Sequence, residues 1–267
     1  MKDPYTRHHV PRTGKIQDLL AMFFVLIAFA GCSTGRIATS FYSDSFTGKL
    51  SEDYSNTVTL NASIEYPESG FSGTGLQDVR CRIKKAVYGE KYAGLDLQDG
   101  LEMYFNDLLK DYREANLPII EALEEEGLGT AASLDWQYII EAKFSGHGRN
   151  MVSYTVTRYE YTGGAHGMAT TMAYTFDSRS GKAISEEELF VKGYNPVLTS
   201  LLTAHVRDGL ENPDELVLFV DRIEPNGNFS AGNDGITYIY NPYEIAPYSS
   251  GTITVTVPWK ELKGLLR

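Results

Sequence analysis

The alternation of apolar and polar residues along the chain predicts several β-strands. The clearest covers residues 57–66, where Val, Leu, Ala, Ile and Tyr alternate with Thr, Asn, Ser and Glu, and Pro67 is predicted to end it. Because side chains in a strand point alternately to the two faces of a sheet, this pattern is typical of a strand with one buried face. Further strands are predicted at residues 134–144, 152–156, 172–176, 236–240 and 253–259.

Helical periodicity separates the first predicted strand from the others. Apolar residues recur on one face of residues 76–87, with basic residues mostly opposite. A second helix is predicted to begin at Asp99, with Glu102 as its capping-box partner, and to be interrupted near Pro118. Further helices are predicted from a capping box at Ser185 and Glu188, from a cap at Asn195 before Pro196, and over residues 214–220.

Strands and helices occur in blocks rather than in strict βαβ alternation. This favours an α+β fold with largely antiparallel sheets and packed helices. We predict two small mixed domains, residues 55–150 and 151–267. Residues 32–54 are rich in Ser, Thr, Gly and Asp without an apolar period, so we predict that they form a tether.

Residues 1–31 have the pattern of a secretory signal peptide. Lys and Arg residues precede the uncharged segment 19–31, which would make a helix of roughly 20 Å, too short to span a bilayer. The segment ends at Cys32 and resembles the bacterial lipoprotein signal, in which that cysteine becomes the lipidated first residue; Phe29 stands where the signal usually has Leu. The alternatives are an ordinary signal peptide and an apolar core helix. The resemblance implies a lipid-anchored protein of the bacterial cell envelope, facing the periplasm or the surface.

The charge of the chain excludes one class of partner. The whole chain has 24 Lys and Arg and 35 Asp and Glu, a net charge of −11, and removal of the four basic and two acidic leader residues leaves −13. An acidic chain repels phosphate backbones, and no basic run follows Cys32, so we predict no nucleic-acid partner. The same charge favours encounter with cationic proteins, although it also simply keeps a protein soluble.

The sequence gives little support for catalysis. His-Glu-x-x-His does not occur, and the single Gly-x-Ser-x-Gly match, residues 31–35, spans the predicted cleavage site at Cys32 and follows no predicted strand. The spacing of His147, His166 and His205 gives no support for a zinc site, and His205 is expected at the edge of the core. Cys81 is the one cysteine after Cys32 and lies on a predicted helix without a nearby histidine, which argues against an intramolecular disulfide and a catalytic thiol. We therefore predict no catalytic residue, metal ion or cofactor.

Two loops are the candidate binding segments. Between two predicted strands, Tyr161 precedes the pair Gly163 and Gly164, which can adopt positive φ and leave backbone amides open to a partner, and His166 supplies a donor or acceptor. Such a loop could bind an anion or an inserted peptide. The alternative is a bulged hairpin connection with a hydrogen-bonded histidine.

The second loop covers residues 241–251 and contains two prolines, which cannot donate to a strand ladder. Tyr243 and Tyr248 could present their rings as recognition anchors on either side of a segment that includes Glu244. The alternative is that these rings pack over a sheet edge.

Four segments occur in an order that resembles a known extracytoplasmic domain. They are residues 161–167, the turn from Phe176 to Lys182, residues 187–190 and residues 241–248. Together, over roughly residues 160–260, they resemble the domain shared by the lysozyme-sensing anti-sigma factor RsiV and the non-catalytic region of the peptidoglycan deacetylase PdaC. Residues from about 50 to 150 resemble the smaller α+β domain that precedes it. The resemblance implies an extracytoplasmic module of unknown function, which in one member binds lysozyme directly.

Three hypotheses follow for the function. The first is a membrane-anchored, non-enzymatic binding lipoprotein whose two loops contact lysozyme or another cationic wall-active protein. The second is an accessory domain for cell-wall glycan, with or without hydrolytic activity. The third is a structural envelope protein whose loops bind nothing. Because no sigma-binding segment, later transmembrane helix or deacetylase domain is recognised, we do not expect signalling by the anti-sigma route.

Overall fold

A five-stranded sheet is the first large element of the computed structural model, which describes residues 37–128, 134–208 and 213–267. Neighbouring strands are antiparallel except β2 and β3, which are parallel. A parallel pair needs a crossover, and two helices, α1 (Gly75–Tyr88) and α2 (Leu97–Glu125), supply it. In spatial order the strands are β1 (Ala38–Lys49), β2 (Thr57–Ser69), β3 (Trp136–Gly148), β4 (Met151–Tyr161) and β5 (Met168–Asp177).

The first hydrophobic core lies between this sheet and the two helices. Every second residue of β2 from Val58 to Ile64 is buried, as the alternating pattern predicts. The apolar stripe of α1 and one face of α2, including Phe105 and Tyr112, are buried in the same cluster. Burial of each large apolar side chain contributes roughly 1.5–3 kcal/mol, so the two periodicities account for how this half assembles.

The second half is built around a smaller antiparallel sheet with its own core. The sheet has the order β6 (Phe229–Ala231), β7 (Gly235–Tyr240) and β8 (Ile253–Pro258). The helices are α3 (Glu186–Leu189), α4 (Asn195–His205) and α5 (Trp259–Leu262). Short 3₁₀ turns occur at Glu90–Tyr92 in the first half and at Pro213–Glu215 and Tyr248–Ser250 in the second. The predicted α+β class is confirmed, since strands and helices occur in blocks and only the β2–β3 pair is parallel among the described strands.

Side chains from the second half cover the free edge of β5. The Asn228 carboxamide accepts a hydrogen bond from the Ala173 amide at 2.7 Å and donates to the Thr171 carbonyl at 2.8 Å. The Asn241 side chain accepts from the Thr171 amide at 2.6 Å. An uncovered edge exposes unpaired backbone amides and carbonyls. These two asparagines provide hydrogen-bond partners for those groups and at the same time join the two sheets.

Several local predictions are confirmed. The helix predicted over residues 76–87 is α1, and Cys81 is a partly buried free thiol on it. The capping box is present, with the Ser185 hydroxyl accepting from the Glu188 amide and the Glu188 carboxylate accepting from the Ser185 amide. These features depend on neighbouring residues alone, which is why sequence patterns reveal them.

The start and continuity of α2 differ from the prediction. The helix begins at Leu97 with Asp96 at the N-cap, so the capping box predicted at Asp99 is wrong. The N-cap therefore lies three residues before the predicted one, and the first helical residue, Leu97, is buried. Pro118 lies inside the helix instead of interrupting it. The buried Ile120 holds the following turns against the sheet despite the hydrogen bond that a proline cannot donate.

The predicted tether is wrong for residues 38–49, which form strand β1 along the whole length of β2. One face of this edge strand is largely solvated, so Ser, Thr and Asp are tolerated there and hide the period of two. Phe46 stacks on Phe105 of α2 with ring centroids 5.3 Å apart, which anchors the strand. The predicted signal peptide and Cys32 lie outside the described residues.

Four further local predictions differ from the structure. Strand β2 continues past Pro67, which lies beyond the segment Val58–Ile64 that pairs with β3 and so needs no amide donor for that ladder. Residues 216–220 are irregular, and only Pro213–Glu215 forms a 3₁₀ turn where a helix was predicted. Tyr194 is the N-cap of α4, one residue before the predicted cap, and Trp259 begins α5 instead of extending β8.

The boundary that we predicted between residues 150 and 151 falls within one sheet. The turn between β3 and β4 consists of Arg149 and Asn150, with φ of 50° and 64°, and the two strands pair on both sides of it. Such a two-residue turn with two positive φ values is the usual hairpin connection. The change from the first hydrophobic core to the second lies later, between Phe176 and Phe190.

Candidate functional site

The two candidate binding loops meet where β4 ends and β5 begins. The His166 ring stacks on the Tyr248 ring, with centroids 3.8 Å apart and planes within 16° of parallel. The Tyr248 hydroxyl donates a hydrogen bond to the Gly167 carbonyl at 2.7 Å. Two segments that the sequence separates by about eighty residues therefore form one continuous surface, which we call the His166–Tyr248 surface.

The first loop is shaped by its glycines. Gly163 and Gly164 have φ of 95° and 89°, a region that side-chain-bearing residues rarely adopt. The Tyr161 hydroxyl donates to the Gly164 carbonyl at 3.1 Å, and the His166 Nδ1 atom lies 3.2 Å from the Gly167 carbonyl oxygen. The histidine is thus hydrogen-bonded, as the simpler interpretation of this loop expected, but its ring remains exposed.

The second loop holds Tyr243 in a strained conformation. Its φ is 71°, which is uncommon for a bulky residue and costs roughly 1–3 kcal/mol. Tyr243 is 54% exposed, and its ring centroid lies 6.0 Å from that of Tyr248. Two side-chain amides, of Asn226 at 2.9 Å and Asn241 at 3.2 Å, donate to the Glu244 carboxylate. Glu244 therefore braces the loop, while Tyr243 is the residue presented to solvent.

A third segment lies beside this loop and was missed as a functional candidate. The Phe219 amide donates to the Ile245 carbonyl at 2.8 Å, which places residues 216–220 along the second loop. Val217 and Phe219 are 62% and 58% exposed. In the sequence this segment is a run of five apolar residues, 216–220, between Glu215 and Asp221. We interpreted the run as part of a helix and not as an exposed surface.

The other two histidines among the described residues lie apart from this surface. His147 is on β3 opposite Val152, near the other end of the sheet. His205 ends α4, where its Nδ1 atom lies 2.6 Å from an Asp208 oxygen and its Nε2 atom 2.8 Å from a Glu261 oxygen. In the described ranges, no cluster of three or more His, Cys, Asp or Glu side chains is arranged to hold a metal ion.

The stability contributed by His205 is expected to depend on pH. Hydrogen bonds to Asp208 and then Glu261 raise the pKa of His205, because both ring nitrogens donate only when the imidazole is protonated. A raised folded-state pKa gives stability that is fully present below the unfolded value of about 6.5 and is lost as pH rises through the folded value. Urea unfolding should therefore show a larger destabilisation by His205→Gln at pH 6 than at pH 9.

An equal loss of unfolding free energy at the two pH values would contradict this expectation. The Lys260 ammonium also lies near the cluster, 3.8 Å from the Glu261 carboxylate.

Comparisons with known families match the two halves of the chain separately. Residues 54–169 match the family model described as Deacetylase PdaC, and residues 187–260 match the model described as a protein of unknown function, DUF3298. The resemblance predicted from the motifs is confirmed. His166 lies in the PdaC-matching region and Tyr248 in the DUF3298-matching region, so the stacked pair joins the two.

Solved structures show the same fold. A DUF3298 family member from Bacteroides fragilis NCTC 9343 is 24% identical with a TM-score of 0.76, covering 88% of this chain and 95% of its own. A DUF3298 family protein from Pseudomonas aeruginosa PAO1 is 18% identical with a TM-score of 0.54, covering 87% and 95%. No curated protein matches the chain. Among the described residues, no helix has both the length and the hydropathy needed to cross a bilayer.

Proposed function

We propose that this protein is a non-enzymatic binding module of the bacterial cell envelope, anchored through a lipid on Cys32, that binds lysozyme or another cationic wall-active protein. The observation that carries the proposal is the stacking of His166 on Tyr248 beside the exposed ring of Tyr243. Mass spectrometry of the native product tests the anchor, because a fatty acid should be attached to the Cys32 thiol.

The shape of the surface supports a protein ligand. Tyr243 keeps its ring in solvent at the cost of a strained backbone, and strain of this kind is found most often at functional sites. Exposed Phe219 and Val217 extend the apolar area on the neighbouring segment. Aromatic residues within an apolar patch are typical anchors of protein interfaces.

The charge of the chain supports a cationic ligand. The net charge is −11, and exposed Glu215 and Asp221 flank the apolar segment 216–220. Opposite charges steer the encounter of two proteins and raise the association rate more than they raise final affinity. A cationic protein with an apolar recess is therefore the ligand that fits this surface best.

Titration of hen lysozyme by calorimetry tests the proposal. We expect a complex whose affinity falls as salt rises, because the screening length shrinks from about 30 Å at 0.01 M to about 3 Å at 1 M. Tyr243→Gly should weaken binding roughly 30-fold, about 2 kcal/mol, while leaving the fold intact, since glycine adopts the required positive φ without strain.

The matched control is Phe41→Thr, which removes another exposed aromatic ring from the distant strand β1. It should leave lysozyme binding unchanged. Absence of binding heat at both salt concentrations removes the lysozyme proposal, and equal effects of the two substitutions remove the assignment to the His166–Tyr248 surface.

A glycan-binding accessory domain is the second candidate function. The exposed Tyr243 ring beside the His166–Tyr248 stack favours it, because flat aromatic faces with polar edges can also pack against sugar rings. A pull-down on insoluble peptidoglycan separates the two candidates: retention that is insensitive to salt and lost in Tyr243→Gly favours glycan over a cationic protein.

A further inference from the structure

A cleft of about 390 Å³ lies at the opposite end of strand β4 from the His166–Tyr248 surface. Strand β4 has 11 residues, so roughly 35 Å of extended chain separates the two ends. The β3–β4 turn, the turn after β5, and helices α3 and α5 form the cleft. Its apolar wall includes Ile184, Leu189 and Trp259. A volume of this size suits a small organic ligand.

Arg149 is the polar group most available to a ligand in this cleft. The hairpin turn presents its side chain, and its guanidinium lies over the Trp259 ring, 5.3 Å from the ring centroid. The indole is held in place by a hydrogen bond from its Nε1 to the Gly232 carbonyl at 3.0 Å. Considering only described residues, no side chain or carbonyl accepts a hydrogen bond from Arg149, so its donors remain available.

The other charged groups of the cleft are already paired with protein groups. Lys182 forms an ion pair with Glu188 at 2.5 Å. The Asp177 carboxylate accepts hydrogen bonds from the Ser180 hydroxyl and amide at 2.7 Å, which hold its pKa below the usual range. Arg267 donates through Nε to the Phe190 carbonyl at 2.8 Å. Lys182 and Arg267 therefore have partners within the protein, whereas Arg149 is the cationic side chain of the cleft that donates no hydrogen bond to the described residues.

We propose that this cleft binds a small ligand with a single carboxylate, such as a sugar acid, through the guanidinium of Arg149. Guanidinium and carboxylate match as a planar, bidentate pair. One guanidinium with free donors matches a ligand that carries one carboxylate. Trp259, Ile184 and Leu189 supply the apolar surface for the uncharged part of the ligand. The site uses none of the residues of the His166–Tyr248 surface, so it stands independently of the function proposed above.

The test compares N-acetylmuramic acid with N-acetylglucosamine, two sugars that differ by a side group carrying one carboxylate. Titration followed by tryptophan fluorescence, which Trp259 reports directly, and by calorimetry should detect the acid and not the neutral sugar at the same concentrations. Arg149→Met keeps the length of the side chain without its charge and should weaken binding at least about tenfold. Arg222→Met, at an exposed position outside the cleft, should leave the affinity unchanged.

Equal affinity for both sugars, or an unchanged affinity in Arg149→Met, would overturn the proposal. Tighter binding of inorganic phosphate than of the sugar acid would overturn the assignment to a carboxylate ligand. Arg149 is exposed on a turn, so Arg149→Met should keep the wild-type melting temperature and circular dichroism. Lysozyme binding by the same variant should be unaffected, so failure of this site is distinguishable from failure of the proposed function.

Discussion

Replacement of Asn228 by alanine is expected to lower the free energy of unfolding by about 3 kcal/mol. The side chain is buried, and its carbonyl oxygen accepts from the Ala173 amide while its NH₂ group donates to the carbonyls of Thr171 and Ile239. Alanine leaves the Ala173 amide buried without a partner, which costs more than the net value of a hydrogen bond. Urea unfolding at 25 °C measures the loss.

Asn228→Asp distinguishes the effect of lost hydrogen bonds from the effect of lost side-chain volume. Aspartate keeps the acceptor for Ala173 but turns a second oxygen towards the carbonyls of Thr171 and Ile239, so it should also destabilise the protein strongly. Asn106→Ala is the control, because Asn106 is exposed on α2 and alanine is the better helix former. If Asn228→Ala unfolds like this control, or Asn228→Asp retains wild-type stability, the covered edge of β5 does not join the two sheets as described.

Replacement of Gly75 by alanine is also expected to lower the free energy of unfolding by about 3 kcal/mol. A Cβ atom at this first residue of α1 would lie 1.8 Å from the Ser180 carbonyl oxygen and 2.6 Å from its carbon. The obstacle is backbone, which cannot rotate away as a side chain can. The Ser72 amide also donates to the Arg179 carbonyl at 2.7 Å, so the turn after β5 is held against the helix and must be displaced.

Gly94→Ala is the matched control for this prediction. No atom lies within 4 Å of a Cβ at position 94, and the backbone there is not left-handed. Alanine should leave stability unchanged or raise it by roughly 0.5 kcal/mol through the unfolded chain. Thermal unfolding of both variants decides the matter: similar melting temperatures for Gly75→Ala and Gly94→Ala would show that the close approach of α1 to the Ser180 backbone is not tight.

The contrast between β2 and β1 shows where sequence patterns succeed. Strand β2 buries every second side chain, so its period of two is visible without a structure. Strand β1 pairs with it along its whole length but is mostly solvated, and the pairing is made by backbone groups that every sequence has. Pro118 shows a second limit of local patterns. It lies inside α2 because the burial of Ile120 outweighs the local tendency of proline to end a helix.

The candidate site, too, could be predicted from the sequence only in part. The sequence identified both loops through their glycines, prolines and tyrosines, and indicated the family that the comparisons support. It held no sign that His166 would stack on Tyr248, or that segment 216–220 would lie beside the second loop. It also concealed the cleft, because Arg149 and Trp259 come from elements far apart in the chain.

The sequence by itself therefore determined the α+β class, the buried faces of β2 and α1, the Ser185–Glu188 capping box and the two loops, because each depends on residues within a few positions of one another. Tertiary structure alone decided which loops meet, which strand edge Asn228 covers and where Arg149 finds its aromatic partner. Those contacts are formed by side chains and backbone groups distant in sequence, and their energies depend on distances that only the folded chain sets.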